Sequence, residues 1–172
     1  MQRVLTSELG SHVGGRVRLA GWLHQRRELS RVTFLILRDR AGLAQIVLDE
    51  PVQLLPETVL EVEGDAVANA QAPGGVEVQG ASLRVLAEPA EAPPIELRRP
   101  ELKEQLPTIL DHAPVALRHP RVRDRFRIAA AAVRGFRSTL DGLGFTEIQT
   151  PKIVATATES GANVFTLDYF GR

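Results

Sequence analysis

Several features are missing from this sequence. It has no cysteine, so neither a disulfide framework nor a thiolate metal site is available to it. No apolar run approaches the roughly 20 residues of a membrane span, and the first residues lack the apolar segment of a signal peptide. The formal net charge is zero, which argues against binding nucleic acid wholesale through its phosphates. We therefore expect a cytoplasmic protein with no membrane partner.

Familiar catalytic motifs are absent as well. There is no Gly-x-x-x-x-Gly-Lys phosphate loop and no His-Glu-x-x-His zinc pattern. The four histidines are scattered, and none has a Ser or Asp at the spacing of a nucleophilic triad. The residues alone therefore identify no catalytic constellation.

The charges that are present are unevenly distributed. Between positions 16 and 40 there are seven arginines against two acids, whereas positions 49 to 65 carry six acids and no base. A local basic surface of this kind attracts a phosphate backbone, although a solvated charged surface has the same pattern. At 172 residues and 44% hydrophobic content, the chain is long enough for one good core or two small ones.

Alternation of apolar and polar residues predicts five strands in residues 1–88. The predicted strands are Arg16–Leu23, Val32–Arg38, one from Leu43, Thr58–Ala68 and Val76–Leu86. Short connections and a long basic loop after the first strand favour an all-β, five-stranded OB-fold barrel. Its binding surface is expected on strands two and three and on the loops at 24–31 and 71–75.

The chain changes character after this barrel. Prolines punctuate residues 89–120, which indicates a linker or hinge. Residues 121–172 are predicted to begin another domain, with a helix from about Phe126 to Gly142 or Gly144, a strand at 145–150, a small-residue loop at 155–162 and a strand from Val164.

Phe34 and Gln45 are the most suggestive residues of the sheet. They lie in adjacent predicted strands joined by a tight turn, at a separation that permits proximity on one face. An aromatic platform beside an amide, which both donates and accepts hydrogen bonds, is how proteins read an unstacked base. The sequence thus predicts a surface for single-stranded nucleic acid.

Three groups of residues resemble a known family. Gly21-Trp22, Arg26-Arg27-Glu28, the stretch from Phe34 to Gly42 and Gln45 look like the anticodon-binding domain of aspartyl-tRNA synthetases and their lysyl and asparaginyl relatives. Residues 144–151 resemble motif 1 of class II synthetases. Residues 156–161, with 165 and 168–170, resemble the flipping loop and following strand of archaeal-type aspartyl enzymes. The resemblance implies an OB-fold, a hinge and the start of an α+β class II catalytic domain.

The resemblance also assigns roles in anticodon binding. Phe34 would stack on the central uridine, Gln45 would hydrogen-bond its edge, and Arg27 would contact the anticodon stem-loop. By resemblance, His24 and Pro73 stand at positions where enzymes specific for tRNA-Asp have a bulky Trp and a Lys. They would therefore relax selection of the third base. Each role has a structural alternative. Phe34 would be a core aromatic, Gln45 an exposed strand residue and Arg27 a solvated charge. His24 would be a surface residue, and Pro73 would only set the turn.

Further roles fall in residues 151–161. By resemblance, Glu159 would engage the ammonium group of substrate aspartate, while Ser160 and Gly161 would let its loop flip. Pro151 would lie in the homodimer interface of motif 1. The alternative for Glu159 is a solvated loop acid.

The implied activity is that of a cytoplasmic, homodimeric aspartate–tRNA ligase. With ATP and Mg²⁺, such an enzyme forms an aspartyl-adenylate and charges tRNA-Asp, here together with tRNA-Asn. The ATP and metal ligands are expected beyond residue 172, so these residues alone are expected not to aminoacylate. An asparaginyl-tRNA synthetase fragment and a stand-alone OB-fold single-strand binder remain alternatives.

Overall fold

The computed structural model describes residues 2–29, 32–151, 168 and 170. The chain divides into two compact units, Met1–Arg125 and Phe126–Arg172. Among the described residues, no helix is both long enough and apolar enough to cross a membrane.

The first unit is built on five strands. Their bounds are β1 Arg16–Leu29, β2 Val32–Arg38, β3 Leu43–Leu48, β4 Val59–Ala68 and β5 Val76–Ala87. They are hydrogen-bonded in the order β1-β2-β3-β5-β4, and pairing of β4 with β1 closes the sheet into a barrel. The β3–β5 pair is parallel and the others are antiparallel. The five-stranded sheet predicted from alternation is confirmed.

Alternation along each strand separates the core from the outer face. On β2, Thr33, Leu35 and Leu37 are buried, while the residues between them are only half-buried. Ile46 of β3 and Leu60 of β4 are completely buried in the same core. Burying a side chain of this size contributes about 1.5–3 kcal/mol, so the inward residues hold the outer face in register.

Glycine is needed where β1 and β2 approach most closely. A Cβ atom at Gly21 would lie 2.3 Å from the carbonyl oxygen of Arg38, a distance that no side chain tolerates. This close approach sets Trp22 of β1 directly opposite Arg38 of β2. Both residues belong to the candidate site described below.

The first strand is longer than predicted. Leu23 pairs with Leu37 but Gln25 pairs with Ile36, so His24 is an extra residue at a β-bulge, after which β1 continues to Leu29. The predicted loop at 24–31 was therefore wrong for residues 24–29. Its polar sequence is typical of a loop, but here it forms an outer strand surface that needs no apolar alternation.

Residues 88–119 contain only short helices. They are α1 Leu106–Asp111 and α2 Ala113–Ala116. A small second cluster of buried residues, formed by Ile95, Leu97 and Ala116, holds this segment together. Frequent prolines limit helix length because each lacks a backbone N–H and disfavours helical geometry in the residue before it.

Helix α3 spans Pro120–Gly142, beginning earlier than the predicted Phe126 because proline is well suited to the first helical turn. Gly144 has φ +85°, and the Phe145 amide donates to the Leu140 carbonyl at 3.0 Å, which ends the helix where predicted. No residue of α3 is buried.

The predicted strand at 145–150 was wrong, because these residues have no regular secondary structure and no described strand pairs with them. Phe145 and Ile148 are instead exposed. The predicted loop at 155–162 lies outside the described residues, as does most of the strand predicted from Val164.

Candidate nucleic-acid interface

A cavity of about 410 Å³ lies on the outer face of β1, β2 and β3. Arg27 pairs across the sheet with Phe34, and Phe34 pairs with Val47. Gln45 pairs with Ile36 and so lies diagonally from Phe34 on the same face. The full lining consists of Arg27, Leu29, Phe34, Gln45, Val47, Asn69, Gln71 and Glu77. The structure thus brings together the three residues that the sequence assigned to anticodon binding.

Phe34 faces away from the barrel core. Its neighbours Thr33 and Leu35 are buried on the inner side, so the half-buried Phe34 ring lies on the outer side, where it lines the cavity. A ring held this way by its own strand is a platform on which a planar base can stack. Arg27 is exposed beside it and has no carboxylate partner among the described residues, so its charge is available to a phosphate.

Glu77 organises the polar side of this cavity, and sequence reasoning missed it. It is 5% exposed and accepts hydrogen bonds from three side-chain amides. The donors are Gln79 at 2.6 Å, Gln45 at 2.7 Å and Asn69 at 2.8 Å. Burial alone would raise the pKa of Glu77, but these three hydrogen bonds outweigh it and lower the pKa below its ordinary value. Glu77 is therefore an anionic anchor.

The anchor fixes which way the Gln45 amide points. A carboxylate only accepts hydrogen bonds, so the Nε2 atom of Gln45 must face Glu77. The Oε1 atom of Gln45 is then left as an acceptor for a ligand. Glu77 alternates with Val76 and Val78 as an ordinary outer-face strand residue would, so the sequence carries no signal of this role. Its partner Gln45 could not be inferred, because the parallel β3–β5 pairing joins residues far apart in sequence.

A second cluster lies around the bulge in β1. Arg38 donates from Nη1 to Nδ1 of His24 at 3.0 Å and from Nη2 to Glu57 at 2.8 Å. Arg118 also donates to Glu57, whose side chain is only 7% exposed. The guanidinium carbons of Arg38 and Arg118 lie 5.9 and 5.0 Å from the centre of the Trp22 ring. Trp22 therefore packs beneath two cations.

His24 lines a second cavity, of about 400 Å³, together with Arg26, Gln53 and Arg98 among others. Burial, followed by the nearby Arg38 charge, lowers the pKa of His24, so the neutral imidazole is favoured. This is a correction to the sequence interpretation, because His24 occupies a strand bulge rather than a loop and does not line the cavity of Phe34 and Gln45.

Pro73 begins a short 3-10 helix, Pro73–Gly75, between β4 and β5. Pro73 lines neither of the two cavities and therefore does not share a cavity with His24. The sequence prediction that residues 71–75 connect the fourth and fifth strands is confirmed.

The remaining predicted site residues belong to the C-terminal segment. Pro151 is exposed, and Glu159, Ser160 and Gly161 lie outside the described residues. Among the residues that the structure describes, no cluster of three or more His, Asp or Glu side chains has the arrangement of a metal site.

Two family models match the chain. Residues 17–86 match the OB-fold nucleic acid binding domain, and residues 105–170 match the class II tRNA synthetases for D, K and N. The first match covers all but the ends of the barrel strands. The second covers α1, α2 and α3 and the residues that follow them.

Similar proteins are known in bacteria and archaea. The chain is 45% identical over 168 residues to an aspartate–tRNA(Asp/Asn) ligase of Thermus thermophilus, covering 98% of this chain and 40% of the relative. A ligase of the same name from Archaeoglobus fulgidus is 39% identical over 180 residues, with coverage of 98% and 41%. The chain thus spans about two fifths of the length of these relatives.

A solved structure has the same fold. It is the asparaginyl-tRNA synthetase of Pyrococcus horikoshii complexed with asparaginyl-adenylate, which superimposes with a TM-score of 0.86 at 30% identity. The superposition covers 99% of this chain and 41% of the other.

Proposed function

We propose that this chain, which belongs to the class II tRNA synthetases of the aspartyl, lysyl and asparaginyl group, is the anticodon-reading part of an aspartate–tRNA ligase that charges both tRNA-Asp and tRNA-Asn. The resemblance predicted from the sequence motifs is confirmed by the family matches, and an OB-fold domain is followed by the start of a class II catalytic domain. The observation that carries the proposal is the shared cavity of Arg27, Phe34 and Gln45.

The cavity has the chemistry to read a central uridine. The base stacks on Phe34, which contributes about 1–3 kcal/mol. Uracil carries an N3–H donor, which the free Oε1 atom of Gln45 accepts, whereas cytosine presents a lone pair at N3 and is repelled. Glu77 supports this by holding the Gln45 amide in the required orientation. Arg27 contacts a phosphate of the stem-loop.

We infer relaxed selection at the third anticodon base from His24 and Pro73. Neither side chain is a fixed cationic donor: the pKa of His24 is lowered, and proline has no side-chain donor. Selection between two bases requires a protein group whose hydrogen bond is lost with the wrong base. Without such a group, cytosine and uracil are bound with similar affinity. The names of the Thermus and Archaeoglobus relatives, which pair Asp with Asn, support this part of the proposal.

The catalytic roles remain proposals for the whole enzyme. We assign residues 1–88 to anticodon binding, 89–120 to the hinge and 121–172 to the start of the catalytic domain. Glu159 would bind the aspartate ammonium group on a loop that Ser160 and Gly161 let move, and Pro151 would lie in the homodimer interface.

ATP and Mg²⁺ are cofactors of this family. The described residues include no group of three or more His, Asp or Glu side chains that could hold the metal ion, and we propose that the ATP and Mg²⁺ sites lie beyond residue 172. No step of adenylate chemistry is therefore assigned to the described residues. We place the complete enzyme in the cytoplasm.

The central experiment measures binding of the chain to three anticodon stem-loops at one stated salt concentration. Two carry the tRNA-Asp and tRNA-Asn anticodons, and the third replaces the central uridine by cytidine. We expect equal affinity for the first two and a loss of about 1–3 kcal/mol for the third. Equal binding of all three would indicate a generic single-strand binder instead.

A matched pair of variants tests the reading residue itself. Gln45→Ala and Gln79→Ala each remove one hydrogen bond to Glu77, but only Gln45 lines the cavity. We expect Gln45→Ala to weaken tRNA-Asp stem-loop binding by about 1–3 kcal/mol, with the barrel still folded, and Gln79→Ala to have little effect. If both variants lost the same amount of stem-loop affinity, Gln45 would act only through its hydrogen bond to Glu77.

The homodimer proposal has a separate test. Phe136 and Ile148 are 66% and 74% exposed, and such apolar surface favours self-association. Sedimentation of the chain is expected to show a weak or aggregation-prone dimer. A clean monomer across the accessible concentration range would contradict it.

A further inference from the structure

Residues 88–119 have a small core of their own. Their buried apolar residues, Ile95, Leu97 and Ala116, form a cluster separate from that of the barrel. Helices α1 and α2 have six and four residues, and helices shorter than about 12–15 residues are marginal in water unless they pack against something else. This segment therefore supplies little order by itself, and we expect docking on the barrel to contribute to it.

One side chain makes the polar connection between this segment and the barrel. Among the described residues, Arg118 alone joins residues 88–119 to the barrel by a hydrogen bond or ion pair, which its Nη1 atom makes with Glu57. Its guanidinium carbon also lies 5.0 Å from the centre of the Trp22 ring. Arg98 faces the barrel too, but it lines the cavity of about 400 Å³ there, so that contact is not closely packed.

Glu57 is the fixed side of this contact. Its φ is +69°, in the left-handed region that residues other than glycine rarely adopt. Its backbone N–H donates to the Leu23 carbonyl at 2.8 Å, and its carboxylate accepts from Arg38 of the barrel at 2.8 Å. A strained residue persists where its surroundings over-determine it, so Glu57 stays in place whether or not Arg118 contacts it.

Arg118, by contrast, can leave without exposing a buried charge. Its side chain is 32% exposed, so the freed guanidinium is readily hydrated. Glu57 keeps its hydrogen bond to Arg38, and Trp22 keeps the Arg38 guanidinium at 5.9 Å, so neither buried group is left without a partner. Opening removes only one charge-assisted hydrogen bond and one cation–π contact.

We propose that Arg118 is a releasable latch, a positioning residue that holds residues 88–119 against the barrel through Glu57 and Trp22. Helix α3 begins at Pro120, so the latch acts on the segment that leads directly into the catalytic domain. When closed, it makes that segment one body with the barrel. When open, it lets the segment move while the barrel stays folded. The latch goes beyond the proposed function, because it operates whether or not RNA is bound.

Hydrogen exchange of the chain tests the latch without RNA. The amide of Ala116 donates to the His112 carbonyl at 3.0 Å, so its exchange reports opening of the segment. Arg118→Gln is expected to speed this exchange about tenfold or more, while the barrel strands exchange as before. Arg121→Gln is the matched control, because Arg121 pairs with Glu101 rather than with a barrel residue, and it should leave the exchange unchanged. Equal exchange in Arg118→Gln and the original chain would overturn the latch.

The charge of Arg118 distinguishes a latch from a side chain that only fills space. Arg118→Lys is expected to restore part of the protection that Arg118→Gln loses, because an ammonium group still pairs with Glu57 and attracts the Trp22 ring. Added salt should speed exchange of the Ala116 amide in the original chain but not in Arg118→Gln, since salt screens a partly exposed ion pair. Exchange that is independent of salt in the original chain would overturn the latch, even if Arg118→Gln does not fold.

Stem-loop binding separates the latch from a direct contact with RNA. Arg118 lines neither cavity, so Arg118→Gln is expected to bind the tRNA-Asp stem-loop as the original chain does at the same salt concentration. A loss of affinity with unchanged exchange at Ala116 would make Arg118 an RNA contact and overturn the latch. If the original chain binds no stem-loop, the proposed function fails, while hydrogen exchange still decides the latch.

Discussion

Two buried glutamates organise two parts of the candidate interface, and each is stabilised in a different way. Among the residues that the structure describes, Glu77 is held by neutral amides alone, one of them that of Gln45, whereas Glu57 is held by the guanidinium groups of Arg38 and Arg118. An amide donor keeps a second polar atom for a ligand. Each guanidinium instead donates one hydrogen bond to Glu57 and has no acceptor to offer a ligand. One glutamate therefore leaves a neighbouring polar atom available to a ligand, and the other fixes the shape of its surroundings.

Removing the charge of Glu57 should have the largest effect. Glu57→Gln is expected to lower the free energy of unfolding by about 3 kcal/mol, because two arginines lose the carboxylate that compensates them in a largely buried site. Trp22 is the sole tryptophan and lies against both arginines, so its fluorescence in urea reports the transition. Glu101→Gln is the control, since Glu101 pairs with Arg121 and both side chains are exposed, and it should cost less than about 1 kcal/mol. Equal losses would remove the distinction between the two kinds of glutamate.

Truncation of Phe34 tests whether the Glu77 side is built for binding. Phe34→Ala is expected to weaken stem-loop binding by about 2 kcal/mol, through loss of base stacking. Val47→Ala removes apolar surface from the same cavity but no aromatic face, and should have a much smaller effect. Phe34→Trp should retain affinity. If Val47→Ala were as damaging as Phe34→Ala, Phe34 would provide bulk rather than a stacking platform.

Neutralising Glu77 should affect selectivity more than stability. In Glu77→Gln the new amide both donates and accepts, so the Gln45 amide loses its fixed direction. The preference for central uridine over cytidine is then expected to fall by about 1 kcal/mol, the net value of one hydrogen bond. Glu63→Gln removes a charge from β4 without contacting Gln45 and should preserve the preference. An unaltered preference in Glu77→Gln would show that Gln45 is oriented by something other than Glu77.

The sequence predicted the elements that depend on local alternation. The five strands followed from it, and so did the common face of Phe34 and Gln45. The extension of β1 was missed because a bulge at His24 changes the register without any apolar signal. The strand expected at 145–150 was wrong because a strand requires a partner, which its own residues do not specify.

Contacts between distant residues were beyond the sequence patterns. The Glu77 network depends on the parallel pairing of β3 with β5. Likewise, Asp39 accepts hydrogen bonds from the backbone and hydroxyl of Thr6 at 2.8 and 2.7 Å, which attaches the N-terminal 3-10 helix, Thr6–His12, to the β2–β3 turn. The sequence of neither segment indicates that the two are in contact.

The smallest expected effect concerns acid stability, and it extends the comparison to a third glutamate. Arg98 forks onto Glu96 at 2.8 and 2.7 Å and, despite partial burial, lowers the pKa of Glu96 from 4.5 to about 2. A carboxyl group with a lowered pKa in the folded state stabilises the fold above pH 4.5, and this contribution is lost as the pH falls towards about 2. Glu96→Gln should therefore flatten the dependence of the unfolding free energy on pH in that window.

In this last experiment, added salt distinguishes a glutamate with a charged partner from one with neutral amide partners. The side chain of Glu96 is 33% exposed and its partner is charged, so added salt should reduce the difference between Glu96→Gln and the original chain. The pKa of Glu77 is also lowered, but by neutral amides in a buried site, so the corresponding effect of Glu77→Gln below pH 4.5 should persist in salt. Urea titrations at several pH values, with and without 0.5 M salt, measure both. If salt reduced the effects of Glu96→Gln and Glu77→Gln equally, the two glutamates would not differ in how their partners stabilise the charged form.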